Sequence, residues 1–355
     1  MSKEVSAAPK LRNSNLELFR IIVMLLIVAH HYVVNSGLMP IMAENPTSAK
    51  SMFLYLFGWA GKTGIDCFVL ITGYFMCKSD ISLKKFLKLF GAYYFYKLLF
   101  FCIFAVTGYV ELSPKFVIKS LMPIVSIDKG FVSCFLVFFC FIPFLNILIK
   151  GMTKRQHQLL LGLCLLVYSV FPQMFISVTF NYVGWFMVIY LIGSYFRLYP
   201  PQWSLNAKLT GWLALGFVML SLTSVWGGVQ MCSISNKDLS YFFVADSNKP
   251  LAVTTAVCAF LFFKNLRIGY NKVVNTIAAS AFGVLLIHAN SNTMRQWLWR
   301  DTLDNAGHYA GNIYLHAVIC VLAVYAVCTL IDFVRIQLLE KPAFKILDSK
   351  LNKKV

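Results

Sequence analysis

The chain has 355 residues, 59% hydrophobic and 16% aromatic, with only 13% charged and a mean hydropathy of +0.71. A soluble domain averages about 25% charged residues, so this composition excludes an ordinary water-soluble enzyme and points to one polytopic helical bundle over 1–355. The net charge of +18 would suit nucleic acid, but basic residues in short loops that orient a membrane protein account for it more simply.

Hydrophobic periodicity predicts an all-α chain of about ten transmembrane spans. They are expected near 16–36, 52–77, 86–108, 131–150, 158–175, 182–199, 209–226, 249–264, 274–290 and 312–335. The amino terminus, MSKEVSAAPKLR, is short and basic, and the apolar run behind it has no A-x-A cleavage site. The first helix is therefore read as uncleaved. An even number of spans puts both terminal tails on one side. The loops on that side are rich in cations: Lys3, Lys10 and Arg12, then Lys78, Lys84, Lys85 and Lys88, then Lys150, Lys154 and Arg155, then Lys264, Arg267 and Lys272, and finally Lys353 and Lys354 near the end. The opposite loops hold fewer, such as Lys50, Lys129 and Lys249. That asymmetry predicts cytoplasmic termini. Most of the ten cysteines fall in apolar runs, only Cys232 lies in an expected external loop, and no C-x-x-C occurs. The sequence gives no sign of a disulfide framework and none of the simplest metal or redox motifs.

A charged group or imidazole inside a lipid-spanning helix is costly and is a functional candidate by default. The first span, ELFRIIVMLLIVAHH from Glu17 to His31, has a carboxylate and an arginine at its entrance and adjacent histidines, His30 and His31, near its far end. Ten residues separate Arg20 from His31, roughly 16 Å along one helix at ~1.5 Å per residue. The second span, GKTGIDCFVLITGYF, carries Lys62 and Asp66 at i and i+4, one helix face on which they are expected to pair. The ninth places His288 in FGVLLIHAN, followed by Arg295 and Trp299. Spans one and nine both run outward and span two runs inward, which brings His31 and His288 to the outer half of the bundle with Lys62 at an intermediate depth. Histidine, with a reference pKa near 6.5, suits general-base chemistry there. The plain alternative for each histidine is a hydrogen bond between helices. His157 and His308 read as ordinary loop residues, His316 is ambiguous, and Asp332 with Arg335 reads as a structural ion pair. The aromatic clusters at Tyr241–Phe243 and Trp297–Trp299 fit either an interfacial belt or glycan stacking. The turn CKSDISLKKFLKLF gathers Lys78, Lys84, Lys85 and Lys88. This is positive-inside charge or a dock for a phosphate-bearing cofactor.

Taken together, these segments resemble the integral-membrane acyltransferase type 3 family. NLELFRIIVMLLIVAHH resembles its first helix, with arginine, ten residues and histidine, which selects Arg20 and His31. GKTGIDCFVLITGYF resembles its G-V-D-x-F-F-x-x-S-G-F/Y segment, with Thr72 in place of the usual serine. Lys85 and Lys88 stand where the family has an R-x-x-R pair; lysine keeps the charge and loses bidentate geometry. GFVSCFLVFFCFIPFLN resembles a family stretch in which tryptophan is usual at Gly130. VGWFMVIYLIGSYFR and the run ending at His288 extend the likeness over about 13–340.

The resemblance implies a bacterial inner-membrane enzyme that transfers an acyl group, usually acetyl, from cytoplasmic acyl-CoA to a hydroxyl of a surface glycan or other extracytoplasmic acceptor. It uses no metal. On that reading His31 is the base, with His30 and His288 beside it. Arg20, Lys84, Lys85 and Lys88 meet the CoA moiety, and Glu17, Lys62, Asp66, Arg295 and Trp299 are candidates for contact with substrate or oxyanion. An acyl-histidine intermediate is an open variant. The rival classes are a transporter or flippase of a lipid-linked glycan, and a structural or sensory membrane protein whose histidines are interhelical glue.

Overall fold

A computed structural model describes residues 13–122, 124, 130–235 and 237–351. The expected topogenic cations Lys3, Lys10, Arg12, Lys129, Lys353 and Lys354 lie outside the described residues. The described residues are helical, with no strand among them. In chain order the helices are α1 (Ser14–Val34), α2 (Leu38–Glu44), α3 (Ala49–Phe57), α4 (Gly61–Met76), α5 (Leu83–Val106), α6 (Pro114–Leu121), α7 (Phe131–Gly151), α8 (Lys154–Leu165) and α9 (Phe171–Gln173). Then come α10 (Tyr182–Leu198), α11 (Ala207–Ser235), α12 (Pro250–Asn265), α13 (Lys272–Ala279), α14 (Ala281–His288), α15 (Asn292–Arg295), α16 (Ile313–Arg335) and α17 (Lys341–Leu351).

Local chemistry sets many of the starts. The hydroxyls of Ser48, Ser82 and Ser113 and the side chains of Asn181, Asn271 and Asn312 each accept from a backbone N–H in the first turn of the helix that follows. Thr153 and Gln156 close a full capping box on α8. Among the described residues, six helical segments are long and apolar enough to cross a bilayer: Ser14–Val34, Ala49–Met76, Leu83–Val106, Phe131–Gly151, Ala207–Ser235 and Ile313–Lys350. Tyr182–Leu198 and Pro250–Asn265 are apolar but shorter, and Lys272–His288 bends by 93° into Asn292–Thr302.

α1 is central, packed against α4, α12, α13, α14 and α16. α4 and α10 cross backbone to backbone: a Cβ on Gly73 would stand 2.6 Å from the Tyr190 carbonyl, and one on Gly193 2.6 Å from that of Leu70. Any side chain there would push the two helices apart. The outward faces of α5, α7, α11 and α16 leave Val106, Phe144, Ile147, Trp212 and Leu330 exposed, as a lipid-facing surface would.

Several expectations for the connections are corrected. α11 runs to Ser235, so Cys232 sits in its last turn, where Sγ accepts from the Leu239 N–H at 3.1 Å. The expected loop over 291–311 contains α15 and a π-helical turn, Gln296–Thr302, folded back onto the bundle.

Candidate active site

The face of α1 organises the site. Eleven steps of about 100° bring His31 back to within about 20° of Arg20, so the two share a face while lying roughly 16 Å apart. Met24 and Ile27, on the same face between them, are both buried.

At the far end His31 meets His288 of α14, Nδ1 to Nε2, at 2.9 Å. The His288 Nδ1 lies 2.6 Å from the Val284 carbonyl oxygen. A carbonyl only accepts, so the His288 proton is on Nδ1 and a neutral His288 presents a lone pair at Nε2. His31 must then donate from its own Nδ1, which leaves its Nε2 unprotonated. The hydrogen-bond chain thus assigns the tautomer of both rings. His288 is fully buried, whereas His31 keeps partial exposure. His30 donates from Nδ1 to the Gly58 carbonyl at 2.7 Å. Its ring fills the space where a Cβ on Gly61 would sit, 2.1 Å from Cγ. Gly61 is therefore what lets His30 lie against the start of α4.

Two cations, Arg295 and Lys62, are near enough to act on His31 electrostatically. Arg295 donates from Nη1 to Asn292 Oδ1 at 3.2 Å, while its buried Nε has no partner. Lys62 does not pair with Asp66, contrary to expectation. Its Nζ donates to the Tyr182 hydroxyl at 2.7 Å, and that hydroxyl donates to Asp246 Oδ1 at 2.7 Å. Asp66 is fully buried and accepts from the Trp185 indole N–H at 3.0 Å. Both belong to α4, but each is claimed by a different partner from α10 or beyond. Trp299 is likewise corrected. It is fully buried, edge-on to Tyr32 and His288, and serves neither as an interfacial belt nor as an exposed stacking platform.

At the other end of α1, Arg20 donates to Glu17 at 2.8 Å and lines a cavity of about 370 Å³. Lys85, Lys88 and Arg335 also line it, with Asp332, Glu340 and an apolar wall that includes Phe68, Phe135 and Phe282. Glu340 bridges Lys88 at 2.7 Å and Arg335 at 2.9 Å. Asp332 accepts from Arg335 and from the Tyr96 hydroxyl, both at 2.8 Å. The ion pair read as structural is therefore also part of a cavity wall. Lys84 is absent from that lining and pairs instead with Asp348 of α17 at 2.6 Å. Glu340, Tyr96, Tyr182 and Asp246 were not anticipated. The Arg335–Glu340 contact spans five residues across the π-helical turn Ile336–Glu340, a spacing that α-periodicity never brings together. The others meet their partners across long sequence separations with no local signal.

The remaining histidines are structural in their contacts. His157 is no loop residue: it lies in α8, fully buried, and its Nε2 donates to the Leu191 carbonyl at 3.1 Å. His308 stacks on His316 with ring centres 4.0 Å apart, and His316 Nδ1 meets the Tyr32 hydroxyl at 2.8 Å. Among the described residues, no group of three or more His, Cys, Asp or Glu is arranged to hold a metal ion.

Comparison with known proteins adds one match. A family model, Acyl_transf_3, described as an acyltransferase domain, matches residues 13–333. No curated protein and no solved structure matches the chain.

Proposed function

Since the chain belongs to the acyltransferase type 3 family and has helices fit to span a bilayer, we propose that it is a membrane O-acyltransferase. It moves an acyl group, acetyl first among candidates, from cytoplasmic acyl-CoA to a hydroxyl of a glycan or exopolysaccharide on the opposite side of the membrane. The proposal places it in a bacterial inner membrane on the strength of its family, with about ten spans and both termini cytoplasmic on the strength of its apolar periodicity and charge asymmetry.

The observation that carries the reading is the His31–His288 pair, with Nε2 of His31 left free as a base. The acceptor hydroxyl gives its proton to that nitrogen as its oxygen attacks the thioester carbonyl. The new C–O bond forms, the C–S bond breaks, and the proton passes from His31 to the departing thiolate, giving the ester and CoA. His288 holds the imidazole and shares the charge that develops on it. Arg295, with an uncommitted N–H, and Lys62 supply positive charge for the carbonyl oxygen as it becomes negative. At the other end, Arg20, Lys85, Lys88 and Arg335 suit the phosphates of CoA.

The test is the acyl-ester content of the host's surface glycan, read by mass spectrometry in strains carrying the intact gene, a deletion, or His31→Ala at equal expression. Loss of one defined acyl mass in both altered strains is expected. Loss in the deletion alone would keep the transferase and remove His31 as the base. Unchanged esters with altered glycan amount or length would overturn transfer in favour of transport.

A further inference from the structure

The cavity and the histidine pair share no residue, and on its histidine side the cavity is lined by phenylalanines. On three of the helices that line it, the lining residue closest to the histidines is a phenylalanine or the neighbour of one. It is Phe68 on α4, whose start meets His30. It is Phe135 on α7, whose start packs through Phe131 on Phe186. On α14 it is the pair Phe282 and Gly283. Phe135 and Phe282 touch, with ring centres 6.0 Å apart. Gly283 precedes His288 by five residues, about 7.5 Å along the helix. The alternative route, along the face of α1, is closed by Met24 and Ile27, at 1% and 4% exposure. From Met76 at its mouth to Phe68 at its floor the cavity follows α4 for eight residues, about 12 Å.

We infer that Phe68, Phe135 and Phe282 form an acyl-length filter, a floor that admits donors with short acyl chains and turns away long ones. This rests on the donor occupying the basic cavity as proposed above. In an open apolar slot each further methylene would add favourable burial. Against packed rings it has nowhere to go, and overfilling a closed site is unfavourable. A single methylene changes selectivity by roughly 10–200-fold when a pocket decides. A floor of movable side chains also leaves a passage for a small thioester toward His31, which a backbone wall would not.

The experiment measures binding of acetyl-, butyryl- and octanoyl-CoA to the purified full-length protein in detergent by calorimetry, so the acceptor need not be known. It compares the native chain with Phe282→Ala, Phe135→Ala and the milder Phe282→Leu. Phe75→Ala, at the exposed mouth, is the control. The native protein is expected to favour acetyl- over octanoyl-CoA, and either floor variant to shift that ratio toward octanoyl-CoA by at least about tenfold. Phe282→Leu should shift it in the same direction by less, which keeps the test open should an alanine variant not fold. Phe75→Ala should alter all three affinities alike. A native protein indifferent to chain length, or floor variants with an unchanged ratio, would overturn the filter and leave the transferase reading standing. No binding of any acyl-CoA by the native protein would overturn the donor site and the filter together.

Discussion

The two ends of α1 use polar groups in opposite ways. At the basic end the charges are committed. Glu17 holds Arg20, Glu340 bridges Lys88 and Arg335, and Asp332 accepts from Arg335 and Tyr96. At the histidine end capacity is left over. His31 and His30 each keep an unengaged Nε2, and Arg295 has a buried N–H without a partner. A saturated network is suited to hold and orient, because each charge is already paid for in the empty state. Uncommitted lone pairs and N–H groups are suited to react, because their partners arrive with the substrate. The contrast predicts that damage at one end shows mainly in stability and donor affinity, and at the other in turnover.

The largest effect expected is that of His31→Ala, a loss of about 10²–10⁴-fold in kcat with donor affinity unchanged, measured as CoA thiol release in membranes that retain the acceptor. Equal losses in donor binding would erase the distinction between the two ends. Asp332→Ala should come next. It takes one of two carboxylates from Arg335, which is only 10% exposed and keeps Glu340, and leaves the buried Tyr96 hydroxyl without its acceptor, at a cost of about 1–3 kcal/mol. Thermal unfolding in detergent should reveal this, and Asp332→Asn, which keeps an acceptor for Tyr96, should lose less. His288→Phe preserves bulk but removes the acceptor that fixes the His31 tautomer. Kcat is expected to fall about 10–100-fold, the scale of losing a partner that orients a functional ring, with little change in unfolding temperature. A large stability loss instead would mark His288 as interhelical glue. The smallest effect is that of Lys84→Ala. This pair with Asp348 is half-exposed on both sides, so stability should move by about 1 kcal/mol or less and donor affinity hardly at all. Weakened donor binding would return Lys84 to the cavity set.

What the sequence made legible follows from the range of its signals. Helix content is written in local hydrophobicity, and each expected stretch is largely helical, although among the described residues only six helical segments are long and apolar enough to cross a bilayer, or seven with the bent pair. The Arg20-to-His31 face follows from one helix period. The convergence of His31 with His288 needed only the alternation of chain direction. The signal failed where two partners compete for one group. Lys62 and Asp66 have the spacing of an ion pair, yet Tyr182 and Trp185 reach them first, from a helix more than a hundred residues away. The burial of Trp299 depends on a 93° fold-back after α14 that leaves no periodic trace. Lys84, Lys85 and Lys88 look alike in the sequence. Only the helix face and the position of α17 separate the one that pairs with Asp348 from the two that line the cavity.

The π-helical turn at Ile336–Glu340 makes one wall of the cavity a matter of helix pitch as well as residue identity. With the same residues wound at the ordinary α-period, Leu339 would take the i+4 place beside Arg335, and Glu340 would stand about 140° around the axis from it. The carboxylate that bridges Arg335 to Lys88 of α5 therefore reaches both cations only because the turn is wide, and straightening it would unlatch this stretch from α5 with every side chain unchanged.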